Sequence, residues 1–335
     1  MKKNISTIAK VLVPLLISTA ILWWMYRGMD WQQISDALHG GMDWKWMLLS
    51  LPFGILAEAL RGFRWKLALD PMGEHPRHHT CVNAIFLSYG SSLVVPRVGE
   101  FLRCGVLKRY DGVPFTRAMG TVVTERCIDI IIIMLLSAVT VLLQIPVFAR
   151  IVTETGLSLD GLLNRFTPMG YFVTLVCLLT IAGMAWWLSH KLSVFSRIRA
   201  ILLDLKTGIF SIRYIRRWGL FILYSIGIWI AYFLHFYLTF FCFACTQDLG
   251  IMVSLVAFVV GTFAVLVPTP NGAGPWHFAV KTVLVLFGVA QTEAVVFVLI
   301  VHTIQTALVA LLGVYSCLAL SLTQRRDAKF IQTTK

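Results

Sequence analysis

FLSYGSSLVVPRVGEFLR, residues 86–103, is the stretch on which the fold turns. It starts as an apolar run with small residues, meets Pro96 and Gly99, and leaves through Arg97, Glu100 and Arg103. A proline and a glycine this close free backbone groups that a continuous helix would satisfy. The apolar run before them, 80–95, falls short of the roughly 20 residues a membrane span needs. Both flanks are basic. Residues 61–79 carry Arg61, Arg64, Lys66 and Arg77; residues 97–117 carry Arg97, Arg103, Lys108, Arg109 and Arg117. Basic flanks mark the cytoplasmic side of a membrane. A segment with both ends on one side enters, breaks and returns, so 80–110 reads as a re-entrant hairpin with its tip near Pro96.

The rest of the chain supplies the membrane. Of 335 residues, 58% are hydrophobic and 13% charged, against roughly 25% charged in soluble domains. That density cannot cover a water-soluble globule. It excludes a disordered chain, a disulfide scaffold and a soluble enzyme. Six segments are long and apolar enough to span: 8–26, 45–69, 114–143, 168–189, 218–240 and 291–322. The first follows Lys2, Lys3 and Lys10, lacks a small-residue cleavage site, and reads as a retained span rather than a cleaved signal. A second broken segment, 251–288, runs into Pro268-Thr269-Pro270-Asn271-Gly272-Ala273-Gly274-Pro275. Its flanks are poor in basic residues, which places both outside, so it re-enters from the opposite face. The loop 190–217 holds seven basic residues against Asp204 and belongs inside; with its interleaved apolar residues it reads as an amphipathic segment on anionic lipid.

The order is therefore span, span, hairpin, span, twice, in units 8–143 and 168–322 of a single integral membrane domain, 1–335. FLSYGSSLVVPRVGE (86–100) and FVVGTFAVLVPTPNG (258–272) echo each other. The expectation is an all-α polytopic membrane protein with two inverted-topology repeats, six full spans and two re-entrant hairpins. Eight spans, two of them kinked at proline, is the alternative. Inverted repeats with broken helices belong to transporters. The net charge of +13 is mostly topology signal rather than a nucleic-acid footprint.

Ionisable residues at membrane depth are the candidates for function. Glu58, Arg61 and Arg64, at steps of three, stay on one side of a helix. Glu58 and Arg61 are placed to pair, and Arg64 either snorkels to the inner interface or binds a ligand. Arg97 sits at the hairpin tip, where a guanidinium can hold a phosphate bidentately. Glu100 and Arg103 continue the same face, with a structural salt bridge as the alternative. In ERCID (125–129), Glu125 and Asp129 share a face and stand roughly 6 Å apart along the axis. They need cationic partners, for which Arg97 and Arg103 are the obvious choice, or else must take up protons, so that Glu100, Glu125 and Asp129 either compensate the arginines of an empty site or carry a coupling proton; Arg126 points elsewhere. At the second break, the amides of Asn271 to Gly274 are placed to form an anion-binding concavity, with His277 and Lys281 beside it. His302 reads as a hydrogen-bonded packing residue. The aromatic run YFLHFYLTFF (232–241) reads as lipid-facing or core packing. His75, His78 and His79 read as a solvated turn. Cys242 and Cys245 have no second ligand pair at zinc spacing. No catalytic, nucleotide, metal or cofactor motif is found.

The motifs LRGFRW (60–65), PRVGEFLR (96–103), ERCID (125–129) and the proline-rich glycine break resemble the integral membrane (flippase) domain of lysylphosphatidylglycerol synthase/flippase proteins over about 8–322. The resemblance implicates Arg61, Arg64, Pro96, Arg97, Gly99, Glu100, Arg103, Glu125, Arg126 and Asp129, then Pro268, Pro270, Gly272 and Gly274. Two features depart from that family. Trp276 and His277 stand where it commonly has a glutamate after the glycines. The soluble aminoacyl-transferase domain is not in this sequence, so lipid aminoacylation is not expected of it.

The expected function is a lipid flippase-type transporter of a phosphate-bearing headgroup, with Arg97, Arg103 and Arg61 binding the anion. Substrate contacts are expected from Arg61, Arg64, Arg97, Glu100, Arg103, Glu125, Arg126, Asp129, Asn271, Gly272, Gly274 and His277, with breaks at Pro96, Gly99, Pro268 and Pro270. Alternatives are a membrane transferase on a lipid-linked substrate, or a partner that recruits a soluble enzyme through 190–217. The expected partners are a phospholipid or lipid-linked substrate and anionic membrane lipids, with a homo-oligomer possible and no nucleic acid, metal or cofactor. The expected location is the inner (cytoplasmic) membrane, multi-pass, with both termini cytoplasmic.

Overall fold

The computed structural model describes residues 42–95, 98–145, 214–267 and 269–323, with isolated positions before residue 33. Among the described residues the chain is all helical apart from one isolated β-bridge, Met42 to Phe243. The helices are α1 (Trp44–Leu69), α2 (His78–Ser92), α3 (Val98–Asp111), α4 (Phe115–Leu143), α5 (Trp218–Tyr237), α6 (Gly250–Ala264), α7 (Pro275–Leu286) and α8 (Gln291–Leu322). A 3-10 turn, Leu238–Cys242, prolongs α5.

Four stretches are long and apolar enough to cross a membrane: Trp44–Met72, Phe115–Leu143, Trp218–Cys242 and Gln291–Leu322. They match four of the six expected spans, and the protein is a multi-pass membrane protein. The segments 8–26 and 168–189 and most of 190–217 lie outside the described residues, as do Pro96, Arg97 and Pro268. The two broken segments form helix pairs: α2 packs on α3, and α6 on α7.

Each half reads helix, helix pair, helix. α1 lies along α5, and α2 lies along α8, both over long contacts; α4 meets α6 more loosely. Without a hydrophobic force between helices in lipid, close packing relies on small residues. A Cβ on Gly90 of α2 would stand 2.8 Å from the Cα of Gly313 on α8, so these two backbones touch. Ser316 of α8 donates to the carbonyl of Asn83 on α2 beside this contact. Gly62 meets Val82 between α1 and α2 at a similar distance.

Gly99 has a stronger reason to be glycine. A Cβ there would fall 2.0 Å from the Ser88 carbonyl oxygen, so only glycine lets α3 fold back against α2. Apolar side chains of α1, α2 and α3 close one core (Trp65, Leu69, Ile85, Leu107), and those of α6, α7 and α8 another (Val256, Val280, Leu284, Phe297). The outer faces of α4 and α8 stay apolar and exposed, as at Leu135, Leu142, Leu311 and Leu318, which is a lipid-facing surface.

Candidate functional site

Among the described residues, four arginines and four carboxylates gather where α1, α3, α4 and α5 meet, and helix geometry decides who reaches whom. Arg61 and Arg64 are separated by one turn on α1, and Glu125 and Asp129 by one turn on α4. Two cations facing two anions in register lock the helices together. Arg61 Nη1 lies 2.6 Å from Asp129 Oδ2, and Arg64 Nη2 lies 2.8 Å from Asp129 Oδ1. Arg64 Nε is 3.5 Å from Glu125 Oε1. From α3, Arg103 Nη1 reaches the other Glu125 oxygen at 2.9 Å. Arg126, on the neighbouring face of α4, holds Glu100 of α3 at 2.8 Å and Asp129 at 3.6 Å.

Rings complete the cluster. Arg61 lies over two rings, 5.8 and 5.7 Å from the centres of Tyr89 and Tyr232. Arg103 stacks 4.7 Å from Trp65, whose indole donates to Thr121 at 2.9 Å. Glu58 accepts a hydrogen bond from the Tyr232 hydroxyl at 2.9 Å.

This arrangement corrects several expectations. Glu58 does not pair with Arg61: the arginine extends to Asp129 on α4 and leaves the carboxylate to Tyr232. Arg64 does not snorkel; it is fully buried against Asp129, Glu125 and Ser225. Arg103 does pair with Glu125, but this pairing and its stacking on Trp65 leave it 1% exposed, in the packing rather than at an open surface. Arg97 lies outside the described residues.

At the second break, Asn271, Gly272 and Gly274 all have positive φ. Three of its four amides are nevertheless spent locally. Gly272 N–H donates to Thr269, Ala273 N–H to Pro270, and Gly274 N–H to His277 Nδ1 at 3.2 Å. The expected anion concavity is therefore closed, and His277, 3% exposed, caps α7. His302 Nε2 faces the Asn271 carbonyl at 3.1 Å, the packing role read for it, and Asn271 Nδ2 donates to Thr306 at 2.7 Å. Lys281 sits over the Phe278 ring.

A cavity of about 640 Å³ opens between the two helix pairs. Its polar wall is Glu58, Arg61, Glu100, Arg126 and Asp129; Asn271, His302 and Gln305 face it from the second half. Between them the lining is aromatic and aliphatic: Tyr89, Trp229, Tyr232, Phe258 and Trp276, then Ile130, Ile133, Val265, Leu308 and Leu312. The candidates thus divide. Glu58, Arg61, Glu100, Arg126, Asp129 and Asn271 meet the cavity, whereas Arg64, Arg103 and Glu125 stand behind that wall and Gly272, Gly274 and His277 do not line it.

The aromatic run 232–241 is not all lipid-facing or core. Tyr232 and His235 line the cavity, and His235 Nδ1 meets the Ser50 carbonyl at 2.8 Å. A signal for them was present: Trp229, Tyr232 and His235 recur at three-residue steps, which keeps polar atoms on one face of an apolar helix.

A family model described as the lysylphosphatidylglycerol synthase TM region matches residues 11–313. Comparison with curated proteins and with solved structures gave no match.

Proposed function

The chain belongs to the family of the lysylphosphatidylglycerol synthase TM region, and on that premise we propose that it is a transporter carrying a phosphate-bearing lipid headgroup across the inner membrane. Membership places its work in membrane lipid handling. The observation that carries the finer reading is the cavity with one charged wall and a largely apolar and aromatic lining elsewhere. A lipid has that same division, an ionic head on an apolar body. Arg61 and Arg126 are the cations that meet the cavity, and each is balanced by a carboxylate that an arriving phosphate can relieve.

The shared order of the two halves supports an inverted repeat, with six spans and two re-entrant pairs and both termini cytoplasmic. Alternating access would be rocking of one half against the other about the α1–α5 contact. Anionic lipids would sit against the basic cytoplasmic loops. We read the site as non-catalytic: Glu125 and Asp129, the acid–base pair that a transferase reading would use, are both held in ion pairs and so are poorly placed as general bases.

The test is reconstitution into liposomes carrying a fluorescent phosphatidylglycerol, with dithionite bleaching of the outer leaflet. The wild type should remove the protected fraction, and Arg61→Ala and Arg126→Ala should restore it. Undiminished translocation by both variants would overturn the assignment.

A further inference from the structure

Glu58 is the odd carboxylate of the cluster. Glu100, Glu125 and Asp129 each lie within 4 Å of an arginine nitrogen. Among the described residues Glu58 has no such partner. It is 5% exposed, one oxygen takes the Tyr232 hydroxyl at 2.9 Å, and Oε2 is buried with no hydrogen-bond partner. It also lines the cavity, so a proton arriving through that space can reach it.

The charge balance gives this position a consequence. Among the described residues, with Glu58 ionised, Arg61, Arg64, Arg103 and Arg126 are matched by Glu58, Glu100, Glu125 and Asp129, and this set is neutral. A phosphate entering then adds an uncompensated negative charge to a low-dielectric site, which is costly. With Glu58 protonated the cluster carries one positive charge, and an anion restores neutrality. We propose that Glu58 is the proton site of the cavity, binding a proton as the cluster binds a lipid phosphate and releasing it when the phosphate leaves. The role in transport rests on the function proposed above; the coupled binding step rests on the cluster itself.

Other groups surround Glu58. Arg61 shares its helix. Tyr89 of α2, Glu100 of α3, Arg126 and Asp129 of α4, Tyr232 and His235 of α5 and His302 of α8 share the cavity with it, and Arg103 of α3 stands behind its wall on Glu125. Glu58→Gln, which keeps the shape and removes the proton, separates their contribution.

The probe is soluble dihexanoyl phosphatidylglycerol titrated into the purified protein by calorimetry, in buffers of different ionisation enthalpy. The wild type should take up about one proton per lipid bound, and its affinity should fall about tenfold per pH unit above the midpoint. Glu58→Gln should bind with near-zero uptake and a flat pH profile. Tyr232→Phe, which keeps the carboxyl but removes its donor, should retain uptake with the midpoint moved to higher pH. Wild-type binding without uptake, or the same uptake in Glu58→Gln, overturns the proposal. Coupled binding without translocation of the fluorescent lipid leaves the proton site standing and overturns the transport reading. Translocation without coupled uptake overturns the proton site alone, and no binding at all overturns both.

Discussion

Arg61 and Asp129 meet at 2.6 Å between α1 and α4, and the same carboxylate also holds Arg64 at 2.8 Å. One acid thus compensates two buried cations. Its position follows from two helices that each repeat charge once per turn, and it makes Asp129 the residue on which the cluster most depends.

Asp129→Asn should therefore be among the most damaging single changes to stability. Removing one partner of a buried pair typically costs about 3–5 kcal/mol, because the remaining charge is stranded. Thermal unfolding in detergent should show a large fall in Tm. A near-unchanged Tm would mean that Arg61 and Arg64 find other partners.

Arg103 and Glu125 should behave as a coupled pair. Both are 1% exposed, with 2.9 Å between them. Arg103→Met and Glu125→Gln should each destabilise, and the double variant should cost less than their sum by about 1–3 kcal/mol. Simple additivity in a double-mutant cycle would contradict the pairing.

Arg126 and Glu100 offer a contrast. Their pair is more than a third exposed, at 37% and 36%, and it faces the cavity. Such pairs are worth about 0–1 kcal/mol. Arg126→Ala should leave Tm nearly unchanged while lowering lipid translocation. A variant that loses stability instead would place Arg126 in the scaffold.

Gly99→Ala should prevent the α2–α3 pair from closing. The added methyl would overlap the Ser88 carbonyl, a fixed backbone atom 2.0 Å away that cannot step aside. The expected outcome is loss of monodisperse protein in size-exclusion chromatography. Gly105→Ala, on the same helix with nothing within 4 Å of the added carbon, is the control that should purify normally.

Much of the scaffold was legible from residue order. The spans read at 45–69, 114–143, 218–240 and 291–322 correspond to helices within a few residues, because length and apolarity are local properties. The breaks after Ser92 and Ala264 were legible because prolines and glycines stand together there, whereas a single Pro52 is carried inside α1. The pairings were only partly legible. Arg103 to Glu125 followed from the hairpin lying beside α4. Glu58 to Tyr232 did not, because the two are 174 positions apart. Spacing on α1 alone favoured Arg61 as the partner of Glu58.

The sequence by itself determined that this chain lives in a membrane, which segments are long enough to span, and which charges are carried into the bilayer. Those follow from hydropathy and helical period, which each segment holds independently of the others. Only the tertiary structure decided which arginines the cavity can reach and which merely hold it together. Arg64 and Arg103 are as cationic as Arg61 and Arg126, yet burial against Asp129, Glu125 and Trp65 removes them from the cavity wall. Ion pairing between helices is fixed by distances of a few ångströms across a packed contact, and those distances exist only once α1, α3, α4 and α5 have met.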